Sequence, residues 1–150
     1  MTRTYISEKV GMALDDIFER RGIEEVISES IKLYRMLQED LYTIKAGKED
    51  ILITRVIDRK IGKTYSLIKL SIKYNIPIVV PPRLQRFYQE DAQNFFNKKA
   101  WILPLSKKEI TGLNNIDIVL KDQGIKTNEI IEFFKPTKIK IIGFSSMFEE

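Results

Sequence analysis

The stretch Ile51-Leu-Ile-Thr-Arg-Val-Ile-Asp-Arg-Lys-Ile-Gly-Lys-Thr64, followed by Tyr65-Ser-Leu-Ile-Lys-Leu-Ser-Ile-Lys-Tyr74, decides the fold. Ile51 to Val56 is a short β-branched run of the kind that suits a strand buried on both faces. From Tyr65 to Tyr74 the apolar residues recur at helical spacing, so a crossover helix is predicted there. A short, mostly polar loop joins the two, and Gly62-Lys63-Thr64 opens the helix. Strand, loop and helix in this order are the first part of a βαβ unit, whose next strand lies parallel to the first.

The same alternation continues outward. Ile76 to Val80, Ile116 to Leu120 and Ile139 to Ile142 read as further strands, and Arg83 to Phe96 and Asn128 to Phe134 as further helices. Together they predict the α/β class, a small, mostly parallel sheet with crossover helices. Ala100 to Leu103 fits either an extra strand or part of a connection. Upstream, Ile6 to about Lys45 reads as two amphipathic helices broken near Arg21-Gly22, and Ala46-Gly47-Lys48-Glu49-Asp50 supplies a helix stop and a polar turn. The expected organisation is a helical segment over 1–48 and an α/β domain over 49–150, forming one compact unit.

Composition narrows the chemistry. With 150 residues, 43% hydrophobic and 31% charged, the chain is long enough to bury a real core, and disorder or low complexity is excluded. It contains neither cysteine nor histidine. Thiol nucleophiles, zinc-thiolate sites and imidazole bases are therefore unavailable, which leaves carboxylates, lysine, hydroxyls, backbone amides or a hard, oxygen-bound cation. A net charge of +4 permits a nucleic-acid partner without demanding one. No run approaches the roughly eighteen apolar residues of a membrane span, and Met1-Thr-Arg-Thr-Tyr5 leads into an amphipathic segment, not a signal peptide's apolar core. A cytoplasmic location with no membrane partner is expected.

The loop before Thr64 suits a phosphate. Backbone N–H groups at a helix N-terminus point at an anion, glycine lets the backbone approach it, lysine reaches the β/γ oxygens and the threonine hydroxyl can ligate Mg²⁺. The full pattern G-x-x-x-x-G-K-[ST] wants glycine where this chain has Ile57, so the loop departs from it. The bland alternative is a surface turn with a solvated lysine.

Asp58-Arg59-Lys60-Ile61-Gly62-Lys63-Thr64 resembles the altered Walker A loop of large terminase subunits and related helicase-like ATPases of phages, which lack the first glycine and carry an early arginine. The resemblance implies a RecA-like or terminase-like P-loop fold. It also implies that Arg59 corresponds to that arginine, Lys63 to the phosphate lysine and Thr64 to the magnesium ligand.

Such an ATPase needs a second strand that ends in an acid for the metal and a glutamate for the attacking water. Asn115-Ile-Asp-Ile-Val-Leu-Lys-Asp-Gln-Gly124 has that shape, with Asp122 at its end and Gln123 where the family has glutamate. A glutamine amide can orient a water but cannot take its proton at neutral pH, so binding could persist while hydrolysis slows. The same residues also suit a polar turn after a buried strand.

Ser145 and Ser146 stand where such ATPases place a γ-phosphate sensor, although serines after a strand also form turns. Arg83 and Arg86 read as solvent-facing helix charges or as contacts to nucleic acid or a neighbouring subunit. The aromatic middle section, Tyr65, Tyr74, Phe87, Tyr88, Phe95, Phe96 and Trp101, suits either core packing or base stacking. The adjacent pairs Asp15-Asp16 and Glu24-Glu25 point about 100° apart on a helix and cannot share a metal on one face. As read, the chain has fewer strands than a full RecA-like sheet and no evident arginine finger.

Two expectations follow. The first is a protein that binds ATP or another purine nucleoside triphosphate with Mg²⁺ and hydrolyses it weakly or not at all, in phage-type nucleic-acid processing. Arg59, Gly62, Lys63 and Thr64 would bind nucleotide, Thr64 and Asp122 would hold the metal, and Gln123 would position water. The second is a non-enzymatic phage-type regulator or inhibitor that binds a protein or nucleic-acid machine through an ATPase-derived scaffold. The wide apolar stripe of the N-terminal helices adds an expectation of self-association.

Overall fold

The apolar runs become the strands of one six-stranded sheet in which every described pairing is parallel. The computed structural model describes residues 2–6, 23–56, 62–106 and 115–146. In chain order these form β1 (Thr2–Ile6), α1 (Ile23–Lys45), β2 (Ile51–Val56), α2 (Lys63–Tyr74), β3 (Ile78–Val80), a 3₁₀ turn (Pro82–Leu84), α3 (Gln85–Phe96), β4 (Ile102–Pro104), β5 (Ile118–Lys121), α4 (Thr127–Phe134) and β6 (Lys140–Ser146). The strand order across the sheet is β1-β2-β6-β5-β3-β4.

The order of the strands fixes which face each helix covers. From β1 through β2 and β3 to β4 the chain steps one way across the sheet, so right-handed crossovers put α1, α2 and α3 on one face. From β4 through β5 to β6 it steps back, which puts α4 on the other. Two clusters of buried side chains record this division. On the first face Leu37, Leu41 and Ile44 of α1, Leu67 and Leu70 of α2 and Tyr88 and Ala92 of α3 pack on Leu52, Val56, Val80, Leu120, Ile142 and Phe144. On the second, Ile130 and Phe134 of α4 pack on Ile53, Val79, Val119 and Ile141.

Local chemistry sets the helix boundaries. In α1 the buried residues Leu33, Leu37, Leu41 and Ile44 recur every three or four positions, the stripe that a helix lays against a sheet. Helices α2 and α3 both end on an asparagine in the left-handed conformation, Asn75 with φ 55° and Asn97 with φ 53°, and each donates its N–H back into the last turn. Among the described residues, no helix is long and apolar enough to cross a membrane.

The structure extends the sequence reading in three places. Thr2–Ile6 is an edge strand paired with β2, where the periodicity pointed to helix from Ile6 onward. Ile102–Pro104 is a strand at the opposite edge, which resolves the segment that sequence left open. Strand β6 runs past Ile142 to Ser146, so both serines belong to the strand and not to a turn beyond it. The proposed helix ahead of Arg21-Gly22, with Asp15-Asp16, lies outside the described residues.

Candidate functional site

All strands of a parallel sheet point the same way, so everything that follows a strand gathers at one edge. The loops leaving β3 and β5 depart to opposite faces there, the topological switch at which open α/β sheets bind ligands. Gly62-Lys63-Thr64, Asp122-Gln123-Gly124 and Ser146 all lie at this edge.

Gly62 precedes α2 with φ 86° and ψ −32°, a backbone conformation open to glycine and strained for other residues. The first bond of the α2 ladder runs from the Ser66 N–H to the Gly62 carbonyl at 3.0 Å, so the N–H groups of Lys63, Thr64 and Tyr65 precede the ladder. Lys63 is buried at 5% exposure although its head is cationic. The Ser66 hydroxyl donates to the Ser30 carbonyl oxygen at 3.1 Å and ties the first turn of α2 to α1. Ile57 and Arg59 lie outside the described residues.

Asp122 follows β5 and is buried. Its Oδ2 accepts the Gly124 N–H at 2.6 Å, closing a tight turn, and its Oδ1 accepts the hydroxyl of Tyr88. Of the two residues expected to hold a metal, Asp122 is thus engaged by the Tyr88 hydroxyl. Burial pushes the Tyr88 phenol well above its ordinary value, and the negative charge and hydrogen bond of Asp122 add to the rise, while the Thr64 side chain opposes it.

The other face of this edge carries Lys121, which is fully buried. Its ammonium donates to the Phe144 carbonyl oxygen at 2.6 Å and to the Asp122 carbonyl oxygen at 3.2 Å. Strand alternation separates the two serines. Ser146 has the parity of Phe144 and lies toward α2 and α3, whereas the buried Ser145 has the parity of Lys121 and faces the α4 side. Gln123 is half-buried in the turn between Asp122 and Gly124. Arg83 and Arg86 are exposed, Arg86 pairing with Glu90 at 2.9 Å within α3.

The fit of Mg²⁺ can be judged from these contacts. The cation demands near-octahedral oxygen ligands at about 2.0–2.1 Å. Both carboxylate oxygens of Asp122 already accept hydrogen bonds, Oδ1 from the Tyr88 hydroxyl and Oδ2 from the Gly124 N–H. Nor do the described residues gather three acidic side chains around any point. A cation at Asp122 would have to compete with both of these hydrogen bonds.

Sequence reasoning placed Lys63, Thr64 and Asp122 at one edge but missed Tyr88, weighed only as core or as a stacking platform. The available signal was a hydroxyl on the buried stripe of α3, since a buried tyrosine usually finds a partner for its O–H. Of the remaining aromatics, Tyr65, Phe95 and Phe96 cluster together, and Phe87, Phe95 and Trp101 are exposed. A cavity of about 440 Å³ bordered by Asp50, Ile131, Lys138 and Lys140 opens at the opposite, amino-terminal edge of the sheet and shares no residue with this site. In comparisons with known proteins, the chain matches no family model, no curated protein and no solved structure.

Proposed function

We propose that this protein binds the phosphates of a nucleoside triphosphate such as ATP at the N-terminus of α2, with weak or absent hydrolysis. The observation that carries the reading is the backbone at Gly62, whose positive φ precedes the helix at the carboxyl end of a buried parallel strand. N–H groups ahead of the helix ladder, the helix dipole and the Lys63 cation all favour an anion at that point. Slow hydrolysis follows from Gln123, an amide that orients water without accepting its proton. Use of this binding in phage-type nucleic-acid processing is the setting that the Walker A resemblance favours.

A second reading is a non-enzymatic regulator or inhibitor that binds a protein or nucleic-acid machine. Two observations favour it: the Asp122 carboxylate already engaged by Tyr88 and Gly124, and the exposed Phe87, Phe95 and Trp101. Calorimetric titration of ATP into the chain and into Lys63→Ala separates the readings. Micromolar binding that is lost in Lys63→Ala supports the phosphate site. No binding of ATP or a non-hydrolysable analogue, in Mg²⁺ or in EDTA, removes the first reading and leaves the regulator.

A further inference from the structure

A tyrosine is a nucleophile as its phenolate, so hydrogen-bond donors at the phenol oxygen and cations beside the ring raise its reactivity by favouring the anion. In a chain without cysteine or histidine, hydroxyls and lysines are the side chains left for such chemistry. Tyr74, the last residue of α2, has this setting. Its oxygen accepts a hydrogen bond from Gln38 Nε2 at 2.6 Å, and an amide nitrogen can only donate. The Tyr42 hydroxyl lies 3.1 Å from the same oxygen. Lys45 and Lys73 hold their ammonium groups 5.3 Å and 5.5 Å from the centre of the Tyr74 ring. Gln38, Tyr42 and Lys45 follow one another at helical spacing on α1, so the seam between α1 and α2 brings all four groups together.

Once Tyr74 ionises, both neighbours donate to its oxygen. The hydrogen bond with Tyr42 holds the Tyr74 phenol below its ordinary value, the Gln38 bond and the Lys73 and Lys45 charges act in the same sense, and burial opposes them. Other described tyrosine side chains are placed differently. Tyr34 and Tyr88 are buried with their phenols pushed up, the hydrogen bond with Tyr74 raises Tyr42, and Tyr65 packs its ring against Phe95 and Phe96. Tyr74 is half-buried and Tyr42 is 54% exposed, so the shared oxygen pair is open to solvent. Among the described residues neither Lys45 nor Lys73 is paired with a carboxylate, which leaves two positive charges beside the phenol. Helix α2 carries Tyr74 about 16 Å from Lys63, toward the opposite edge of the sheet, so nothing here depends on the phosphate-binding reading.

We infer that the Tyr74 phenol oxygen is a modification site of this protein, the nucleophile that takes an acyl group from a donor with an anionic leaving group, an acyl phosphate. The phenolate oxygen bonds to the carbonyl carbon, and the bond from that carbon to the phosphate oxygen breaks with its electron pair leaving on phosphate. The phenol proton ends on the departing phosphate, so the products are an aryl ester and inorganic phosphate. Gln38 and Tyr42 act as positioning residues that favour the phenolate, while Lys45 and Lys73 attract the phosphate of the donor.

The test incubates the full chain with acetyl phosphate at about pH 8 and maps acetyl groups by peptide mass spectrometry before and after hydroxylamine, which cleaves the ester and spares lysine amides. Tyr74 is expected to be acetylated at least about fivefold faster than Tyr42, Tyr65 or N-acetyltyrosinamide in the same mixture. Gln38→Leu and Tyr42→Phe are each expected to slow Tyr74 about threefold and to move the midpoint of its rate against pH upward. Lys45→Gln/Lys73→Gln is expected to slow acetyl phosphate more than the neutral donor N-acetylimidazole, and equal slowing overturns the anionic donor. Acetyl groups shared evenly among the exposed tyrosines, or carried by Lys45 and Lys73 alone, overturn the inference, and so does a Tyr74 rate unchanged in both single variants. Should a variant fail to fold, the distribution of acetyl groups over the wild-type chain decides.

Discussion

Gly143 of β6 and Lys121 of β5 are paired in the parallel ladder so closely that a Cβ on Gly143 would stand 2.3 Å from the Lys121 carbonyl oxygen and 2.8 Å from Lys121 Cβ. The missing side chain is what lets the buried lysine run along the sheet to the Phe144 carbonyl. Gly143→Ala must push two central strands apart, because the obstructing atoms are backbone. A loss at the upper end of overpacking effects, about 3 kcal/mol, is expected in urea unfolding. A loss below about 1 kcal/mol would show that β6 shifts freely.

Two tyrosines buried on the same face make a matched pair for stability. Removing the Tyr88 hydroxyl leaves the buried Asp122 carboxylate without one of its two donors, so Tyr88→Phe is expected to lose about 1–3 kcal/mol. The Tyr34 hydroxyl is buried with no hydrogen-bond partner among the described residues. Tyr34→Phe therefore removes an unsatisfied group and is expected to be neutral or stabilising, within about 0.5 kcal/mol of wild type. Denaturant midpoints of the two variants at neutral pH check the contrast, and equal losses would refute it.

How much of this was legible in the sequence follows from the range of each interaction. The runs Ile51 to Val56 and Ile139 to Ile142 declare buried strands because both faces of a parallel sheet are covered. Strand β1, Thr-Arg-Thr-Tyr-Ile, lacks such a run since it pairs on one side only, and the helical spacing that starts at Ile6 masked it. Lys63 and Asp122 could be placed at one edge because each follows a strand, which is local information. The Tyr88–Asp122 contact spans 34 positions and depends on how α3 packs over the sheet, so no spacing rule reveals it.

Gly62 provides a test of backbone chemistry apart from side-chain contacts. Its φ of 86° with ψ −32° falls outside the left-handed helical region that Asn75 occupies at φ 55° and ψ 53°. Asparagine, which serves at the end of α2, is therefore not expected to rescue this position. Gly62→Ala and Gly62→Asn should both lose about 1–3 kcal/mol, with ATP affinity falling along with the loop geometry. Asn75→Gly, by contrast, should change stability by less than about 1 kcal/mol. A Gly62→Asn chain with wild-type stability and affinity would show that the positive φ is not required.

Alkaline pH addresses the Tyr88–Asp122 bond from the proton's side. The folded protein holds the Tyr88 phenol protonated well above its ordinary value of 10.0, first through burial and then through the charge of Asp122. In the unfolded chain the phenol ionises near that ordinary value. Above about pH 10 the native state thus binds more protons than the unfolded state, and stability falls as pH rises, by up to about 1.4 kcal/mol per pH unit from this group. Below that pH the contribution is fully present. Tyr88→Phe lacks the group and the slope it adds, so the stability gap between the two chains, wide at neutral pH, should narrow steadily as pH climbs past about 10. Unfolding midpoints at about pH 8 and about pH 11 measure the gap, and an unchanged value would mean that the phenol ionises in the folded protein as readily as in the unfolded one.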